Sequence, residues 1–490
     1  MTVHSSPHRR NASRAASDSA ENDSVIAKQT RRSRPTPLPK AQLAIIYAIK
    51  LTLPIANTQT MPYYNILIEK LAASEGAETG YYSGLAHSAF AIAGFISMFF
   101  WGRVSDRWGR VPVIFLGTAG TAVFTLLFWT IHDLQLAGFF HSITGAIHSV
   151  VGELSDETNQ STAFPLYDIV SALGFVIGPL IGGTFADPAK EWPDVFTNTL
   201  WKTYPYLLPC LITTGVSTVA ALLSAFALQE TLPGKRKNKS PVLEEEPLLG
   251  PESSATVIDV PPTLEDLQPL SVRHLLSIPV LRAVIASSGA LGLAGSCFTN
   301  IFVLMAYTPI RQGGLAFSPA QIGRAISSMG AVSILLKLCM PKLLRRFGTL
   351  GMFDFAMLAW MATFAAMPLA SLVAQSAAAA GVPLLREAST REWVAVAVPL
   401  FLSRLGCLAF SIIMILTRDH APGSASLGTA NGLAELAQSL ASTVGPTFAS
   451  SLFAVSASKH LLGGHLWVVF MLLLSVFNCW VARRIRHYRD

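Results

Sequence analysis

Several ionisable side chains lie inside long apolar segments of this chain, where an isolated charge is energetically costly. Placing a charge in hydrocarbon costs about 2.5–3.5 kcal/mol, so such groups usually face a water-filled cavity or one another. In that setting they can bind a charged solute or transfer a proton. The residues concerned are Lys50, His87, His141, His148, Asp168, Lys337, Arg404 and Glu435.

Four of these charges allow specific hypotheses. Lys50 lies about one or two turns into its segment, and it either snorkels toward the lipid headgroups or faces a cavity that holds an anion. Asp168 lies about one and a half turns into another segment and is a candidate partner of Lys50 or Arg110. Arg404 and Glu435 lie deeper, and a coupling role and a structural ion pair are equally compatible with their positions.

The three histidines are candidates for proton relay, because histidine ordinarily titrates near pH 6.5, at about the pH of many cellular compartments. His87 lies in the second predicted span, and His141 and His148 lie in the fourth. A hydrogen-bonded packing role is the alternative for each of them.

The segments that must position these groups follow from composition. Of 490 residues, 51% are hydrophobic and only 13% are charged, whereas soluble domains have about 25% charged residues. The chain therefore requires lipid as its solvent. Its net charge of +7 does not indicate nucleic-acid binding, because the basic residues lie mostly in tails and in loops between apolar segments. The five cysteines show no CxxC spacing, and we expect no metal site, cofactor or disulfide framework.

About twelve segments are long enough to span a bilayer, which takes about 20 apolar residues. We predict an all-α membrane protein made of two six-helix halves, an arrangement typical of transporters with a central site. The predicted spans are 43–67, 81–101, 111–131, 134–151, 163–186, 204–228, 283–308, 320–341, 351–374, 392–416, 427–455 and 466–483. The predicted divisions are a cytosolic tail (1–40), a first bundle (41–230), a linker (231–280), a second bundle (281–484) and a short tail (485–490).

Basic residues indicate the orientation. With the N-terminus inside, the inner loops and tails contain clusters such as Arg103, Arg107 and Arg110, whereas the outer loops contain scattered lysines and arginines. Cytosolic loops are the ones enriched in Lys and Arg, so both termini are predicted to be cytosolic.

The loop after the second span, Gly102–Arg110, has the sequence GRVSDRWGR. Gly102 and Gly109 allow a tight turn and close helix approach. Asp106 can accept hydrogen bonds from backbone N–H groups or a helix N-terminus, and Arg107 and Arg110 can pair with acidic groups or lipid phosphates.

A second glycine-rich element lies in the fifth span, in the sequence GFVIGPLIGG. Small residues four apart let helices pack closely, and a proline removes one intrahelical hydrogen bond and kinks the helix. A packing seam without any role in coupling is the alternative interpretation. The residues are Gly174, Gly178, Pro179, Gly182 and Gly183.

Together these motifs resemble the major facilitator superfamily. The first loop is similar to the signature of that family, and the second element is similar to the antiporter motif of its drug:proton antiporter branch. Pro54, Tyr63 and Tyr64 in helix one and the segment 230–233 (ETLP) are similar to fungal zinc-induced-facilitator-like members. The resemblance covers residues 38–232 well and 280–485 loosely.

One feature departs from that family. Its members usually have an arginine in helix four, but the segment 132–148 of this chain contains none, and the helix is short. Either a piece of the chain has been lost or the proton-linked arginine is absent, so the mode of coupling stays open.

Acidic residues after helix four, namely Glu153, Asp156 and Glu157, are candidate partners for Arg107 and Arg110. Such bridges would hold the cytosolic side closed and break when the carrier turns inward. In the linker, Glu244, Leu248 and Leu249 are similar to an acidic dileucine sorting signal read by adaptors, which favours a vacuolar or endosomal membrane over the plasma membrane; a chance acidic stretch is the alternative.

We predict secondary transport of a small organic solute or metal chelate, with proton-coupled efflux by alternating access as the leading mechanism. An uncoupled facilitator and a non-transporting membrane sensor are the alternatives. The chain is expected to act as a monomer. The sequence lacks a nucleophile elbow, a phosphate-binding loop and an HExxH motif, so an enzyme is not expected.

Overall fold

The computed structural model describes residues 39–72, 79–131, 139–140, 143–155, 160–232, 271–379, 389–422, 424–459, 461–462 and 464–487. Within these ranges the chain is helical and contains no β-strand. Several predicted features lie outside the described residues: residues 1–38 of the first tail, residues 488–490 of the last one, most of the linker with Glu244, Leu248 and Leu249, and the residues His141, Asp156 and Glu157. The predicted tail 485–490 begins too early, because the last helix continues to His487.

In the described part of the first half there are six long or medium helices and three short ones. In chain order they are α1 Lys40–Thr58, α2 Tyr64–Ala72, α3 Thr79–Trp108, α4 Arg110–Ile131, α5 Thr144–Leu154, α6 Gln160–Thr184, α7 Pro188–Glu191, α8 Thr199–Thr203 and α9 Leu207–Phe226.

The second half begins with a short helix and continues with six long ones. They are α10 Val272–Ser277, α11 Pro279–Tyr307, α12 Pro319–Phe347, α13 Thr349–Ala379, α14 Thr390–His420, α15 Ser424–Ser458 and α16 Leu466–His487. Among the described residues of both halves, 10 helices are long and apolar enough to cross a membrane.

Helix one is broken, in contrast to the continuous span predicted over 43–67. It ends at Thr58 and resumes at Tyr64, and tight turns with Met61 N–H donating to Thr58 O join the two parts. Pro62 in this stretch has no N–H to donate, which helps to end the regular hydrogen-bond ladder. Broken helices at membrane depth are tolerated where they line a cavity.

Helix four is described only in part, so its predicted shortness stays a prediction. The described part, α5, has only 11 residues, which span about 16 Å at 1.5 Å per residue, well short of the roughly 30 Å of a bilayer core. Residues 132–138 and 141–142, which precede it, lie outside the description.

Helix ends define two ends of the bundle. The segment Gly102–Arg110 lies at one end, which we call the motif end. The predicted loop here is wrong, because α3 continues to Trp108 and α4 begins at Arg110, which leaves only Gly109 outside a helix. The start of α1 lies at the same end, where the Gln42 side chain hydrogen-bonds Ala227 O and Gln229 N–H. The other end, called the distal end, contains the start of α3 and the end of α6.

The two halves pack closely at the distal end. Thr447 of α15 donates a hydrogen bond to Ser88 Oγ of α3 over 2.8 Å and lies 3.1 Å from Gly84 O. On α12, Ser327 Oγ donates to Val176 O of α6 over 2.7 Å. These contacts close the distal end of the bundle.

Candidate functional site

A cavity lies beside the break in helix one. Its volume is about 180 Å³, and it is partly open to the outside. The break contributes backbone and polar side chains, and α3 and α4 contribute aromatic ones, so the lining mixes hydrogen-bonding groups with apolar walls. Among the lining residues are Asn57, Thr60, Tyr64, His87, Phe90 and Phe124 from the first half, with Pro446 from the second. Sites for small organic molecules have this composition.

His87, predicted as a relay candidate, does line this cavity. Its ring lies edge-on to Tyr64, with centroids 4.2 Å apart, and its Nδ1 is 3.1 Å from Ser83 O. The contact with Ser83 O fixes the orientation of the imidazole ring, and the ring forms part of the cavity wall. Relay and packing both remain compatible with that position.

The glycines of the fifth span let α6 approach two neighbours. A Cβ built on Gly178 would lie 2.1 Å from Thr58 Oγ1, and one built on Gly182 would lie 1.8 Å from Gln59 O, at the break in helix one. Gly174 likewise leaves room for Pro54, at 2.3 Å. The seam therefore positions the broken helix beside the cavity, and α6 continues through Pro179 as one helix to Thr184.

Gly183 serves a different contact, the one between the halves. A Cβ at this position would lie 2.7 Å from Pro319 O and 3.0 Å from the Cα of Gly323 on α12. On the other side of that contact, a Cβ on Gly323 would lie 2.4 Å from Pro179 O. Reciprocal small residues thus bring two backbones together across the interface, as in other membrane helix pairs.

An ion pair joins the halves between the cavity and the motif end. Lys337 Nζ of α12 lies 3.7 Å from Asp168 Oδ2 of α6. Among the described residues this is the one ion pair between the halves. The structure thus differs from the predicted pairing of Asp168 with Lys50 or Arg110, because Lys337 reaches Asp168 from the facing helix.

Lys50 is buried, with 7% of its surface exposed, so it does not snorkel. Its ammonium group lies 4.6 Å from the ring centroid of Tyr167, which His148 also approaches edge-on with centroids 5.5 Å apart. The charge of Lys50 is close enough to interact with that of Asp168 without forming an ion pair. Desolvated cations over an aromatic face are stabilised by its quadrupole.

Arg404 and Glu435 do not form the ion pair that was considered. Arg404 donates from Nε to Ser403 Oγ over 3.2 Å. Glu435 is exposed and interacts electrostatically with Asp168 of the other half, so it faces the space between the halves. The sequence predicts that both residues lie on long helices, but it cannot show that their side chains do not point toward each other.

A network of charges occupies the motif end. Arg110 pairs with Asp106 at 2.8 Å and with Glu153 at 2.9 Å, and its guanidinium also donates to Ser105 Oγ. The predicted partnership of Arg110 with Glu153 is therefore present. Arg107 is exposed and forms no ion pair with a described residue.

Glu230 is a member of this network that sequence reasoning missed. Its carboxylate accepts hydrogen bonds from the backbone N–H groups of Arg110 and Val111, at 2.9 and 3.2 Å, which are the first two of α4. A carboxylate at a helix N-terminus satisfies orphan donors and complements the helix dipole. The segment ETLP is recognisable in the sequence, but the sequence does not show that its glutamate caps the N-terminus of α4.

Gly109 makes this contact possible. Its φ is +105°, a conformation that favours glycine, and a Cβ there would lie 2.4 Å from the Glu230 carboxylate. The expected close approach at Gly102 is not found, since a Cβ there would meet nothing within 4 Å. Only one of the two motif glycines is required by its surroundings.

Comparison with curated proteins gives relatives along nearly the whole chain. The major facilitator-type transporter psiT2 of Psilocybe cyanescens is 34% identical, with 92% of this chain and 91% of the relative covered. Protein ZINC INDUCED FACILITATOR 1 of Arabidopsis thaliana is 27% identical, covering 92% and 91%. The multidrug transporter mfsB of Aspergillus fumigatus is 27% identical, covering 84% and 78%.

Solved structures share the fold. The human organic anion transporter MFSD10 superposes with a TM-score of 0.57 at 18% identity, over 91% of this chain and 100% of that one. This confirms the predicted all-α fold of about twelve membrane helices. The family model described as Major Facilitator Superfamily matches residues 49–446. The predicted resemblance is confirmed: this chain belongs to the Major Facilitator Superfamily and is a multi-pass membrane transporter rather than an enzyme.

Proposed function

We propose that this transporter exports a small organic solute in exchange for protons, by alternating access between its two halves. The observation that carries the proposal is the asymmetry between the ends. At the distal end the halves are closed by backbone-level contacts at Gly183 and Gly84. Farther toward the motif end lies Asp168–Lys337, the one ion pair between the halves among the residues that the structure describes.

The orientation of the chain in the membrane determines which side the closed end faces. We place the motif end in the cytosol, because the arginines of Gly102–Arg110 and of the end of α16 lie there. With both termini inside, the closed distal end faces outward, and the structure corresponds to an inward-facing state. In that state an exporter would load its solute from the cytosol.

The solute site is proposed to be the cavity beside the broken helix one. Its aromatic walls at Tyr64, Phe90 and Phe124 suit the apolar body of an organic solute or metal chelate. Its polar groups at Asn57 and Thr60 suit one or two hydrogen bonds. Substrate sites in transporters commonly lie at such discontinuous helices.

Proton coupling is proposed at Asp168. When its carboxylate is ionised, the pair with Lys337 holds α6 against α12. Protonation removes the charge and leaves Lys337 without a partner, so the pair no longer stabilises this arrangement. Glu435 and Lys50 contribute to the field at Asp168 from either half.

An uncoupled facilitator is the second candidate. It is favoured by the segment 132–148, which lacks an arginine, and by the neutralisation of Asp168 by Lys337 in this state. A vacuolar or endosomal membrane is proposed from the linker residues Glu244, Leu248 and Leu249.

Flux in proteoliposomes separates these candidates. Full-length protein would be tested with a panel of labelled organic amines, organic acids and a zinc–histidine chelate, with and without an imposed pH gradient. An exchanger accelerates flux with the gradient, and Asp168→Asn keeps solute exchange but loses that acceleration, whereas Glu191→Gln, on the exposed α7, changes neither. Flux that ignores the gradient identifies the facilitator. No flux from folded protein with any member of the panel contradicts transport of these classes.

A further inference from the structure

A crevice between α13 and α16 lies at the motif end, formed wholly by the second half. Its volume is about 500 Å³, and it is partly open to the surroundings. Nothing in the transport mechanism requires it. Its lining includes Asp354, Met357, Leu358, Cys479, Arg483 and Arg486.

The charges of the crevice are unbalanced. Arg486 pairs with Asp354 at 3.0 Å, from Nη2 to Oδ2. Arg483 is exposed and forms no ion pair with any residue that the structure describes. Two guanidinium groups against one carboxylate leave one positive charge and several unpaired N–H donors at the mouth of the crevice. A guanidinium binds phosphate through paired N–H donors.

The walls of the crevice continue into apolar surface. Leu358 on α13 and Val476 and Trp480 on α16 are 47%, 54% and 49% exposed. In a membrane protein such exposed apolar side chains contact acyl chains. Arg484 stacks on Trp480, with its guanidinium carbon 3.9 Å from the ring centroid. Tryptophan and arginine together mark the level of the lipid headgroups.

We propose that this crevice binds an anionic phospholipid. Arg483 and Arg486 would hold the headgroup phosphate and its negative substituent, while the acyl chains lie along the apolar faces of α13 and α16. Asp354 keeps Arg486 in place and limits the positive charge of the crevice. Basic pockets between membrane helices on the cytosolic side are suited to anionic headgroups, and the proposed orientation places this end in that leaflet.

The competing explanation is that these arginines merely belong to the general excess of positive charge at the motif end. Arg345 and Arg346, at the end of α12, provide the matched control. They are exposed at the same end of the bundle and outside the crevice. Replacing either pair with glutamine removes the same charge. The two variants should therefore differ in lipid retention only if the crevice is a specific binding site.

Native mass spectrometry of the full-length protein tests the proposal. The protein in detergent would be offered equal amounts of phosphatidylserine and phosphatidylcholine with the same acyl chains. The wild type should retain phosphatidylserine preferentially. Arg483→Gln with Arg486→Gln should lower that retention by about 30-fold, roughly fivefold for each basic side chain near an anionic headgroup. Arg345→Gln with Arg346→Gln should leave it unchanged.

A second variant keeps the proposal testable if the double substitution impairs folding. Asp354→Asn raises the formal charge of the crevice, so phosphatidylserine retention should increase. No increase, equal retention by the crevice variant and the wild type, or equal loss in the control variant would overturn the site. Complete displacement by glycerol 3-phosphate at the same concentration would show that a soluble phosphate, not a lipid, is the ligand.

Discussion

Substituting Gly183 with alanine should shift the carrier away from the state described here. The added methyl group would lie 2.7 Å from Pro319 O and 3.0 Å from the Cα of Gly323, both belonging to backbone of the other half. Overpacking of this kind costs about 1–3 kcal/mol. The cost arises only when the distal end is closed, so it favours the alternative state by about 5- to 150-fold.

Gly215→Ala is the matched control, because a Cβ at Gly215 on α9 meets nothing within 4 Å. It makes the same chemical change in a membrane helix without touching the other half. Thermal stability of both variants would be measured alongside, since Gly183→Ala must remain folded for the comparison to count.

The assay is a spin-label distance across the distal end. Labels would be attached at Lys190, beyond α6, and Arg311, beyond α11, both exposed, in a background in which the five native cysteines are replaced. Gly183→Ala should add a longer distance to the distribution, and Gly215→Ala should reproduce the wild type. An unchanged distribution in folded Gly183→Ala would refute the argument that this glycine controls closure.

Three further results are expected. The single substitutions Asp168→Asn and Lys337→Met should each abolish gradient-driven flux. Exchanging the two charges should restore the contact between α6 and α12, measured by the same spin-label distances. It should not restore proton coupling, because coupling requires the carboxylate at position 168. Glu230→Gln should lower the stability of the first half by about 0.5–2 kcal/mol, because the anionic cap of α4 is lost; thermal unfolding against Glu191→Gln would measure it. Arg110→Lys should lower transport while the protein stays folded, because one ammonium cannot replace the forked contacts to Asp106 and Glu153; equal flux would contradict a role for this network.

The fold was predictable from the sequence because the same pattern, an apolar segment of bilayer length, recurs along the chain. Apolar segments of bilayer length specify spanning helices wherever they occur, and 10 such helices are found in the described residues. The segment Gly102–Arg110 and the seam Gly174–Gly183 are visible in the sequence because both depend on residue type and spacing, but the prediction of a loop at 102–110 was wrong, since α3 continues to Trp108.

The contacts between distant segments were not predictable. Asp168 could pair with any cation near its depth, and the choice of Lys337 depends on which helix of the other half faces α6. Glu230 lies 120 residues from its partner Arg110, and no local pattern specifies that pairing. The break in helix one was missed, although the polar residues 57–60 (NTQT) and Pro62 are visible in the sequence and both weaken a continuous apolar helix.

Alternating access is tested most directly by measuring distances at both ends of one protein. A label pair at Arg107 and Asp419, both exposed at the motif end, would be compared with the distal pair at Lys190 and Arg311. As pH is lowered or a transported solute is added, the account predicts that one distance shortens while the other lengthens, in matching proportions. If both distances stay constant, or both lengthen together, the two halves do not alternate and the mechanism proposed here is wrong.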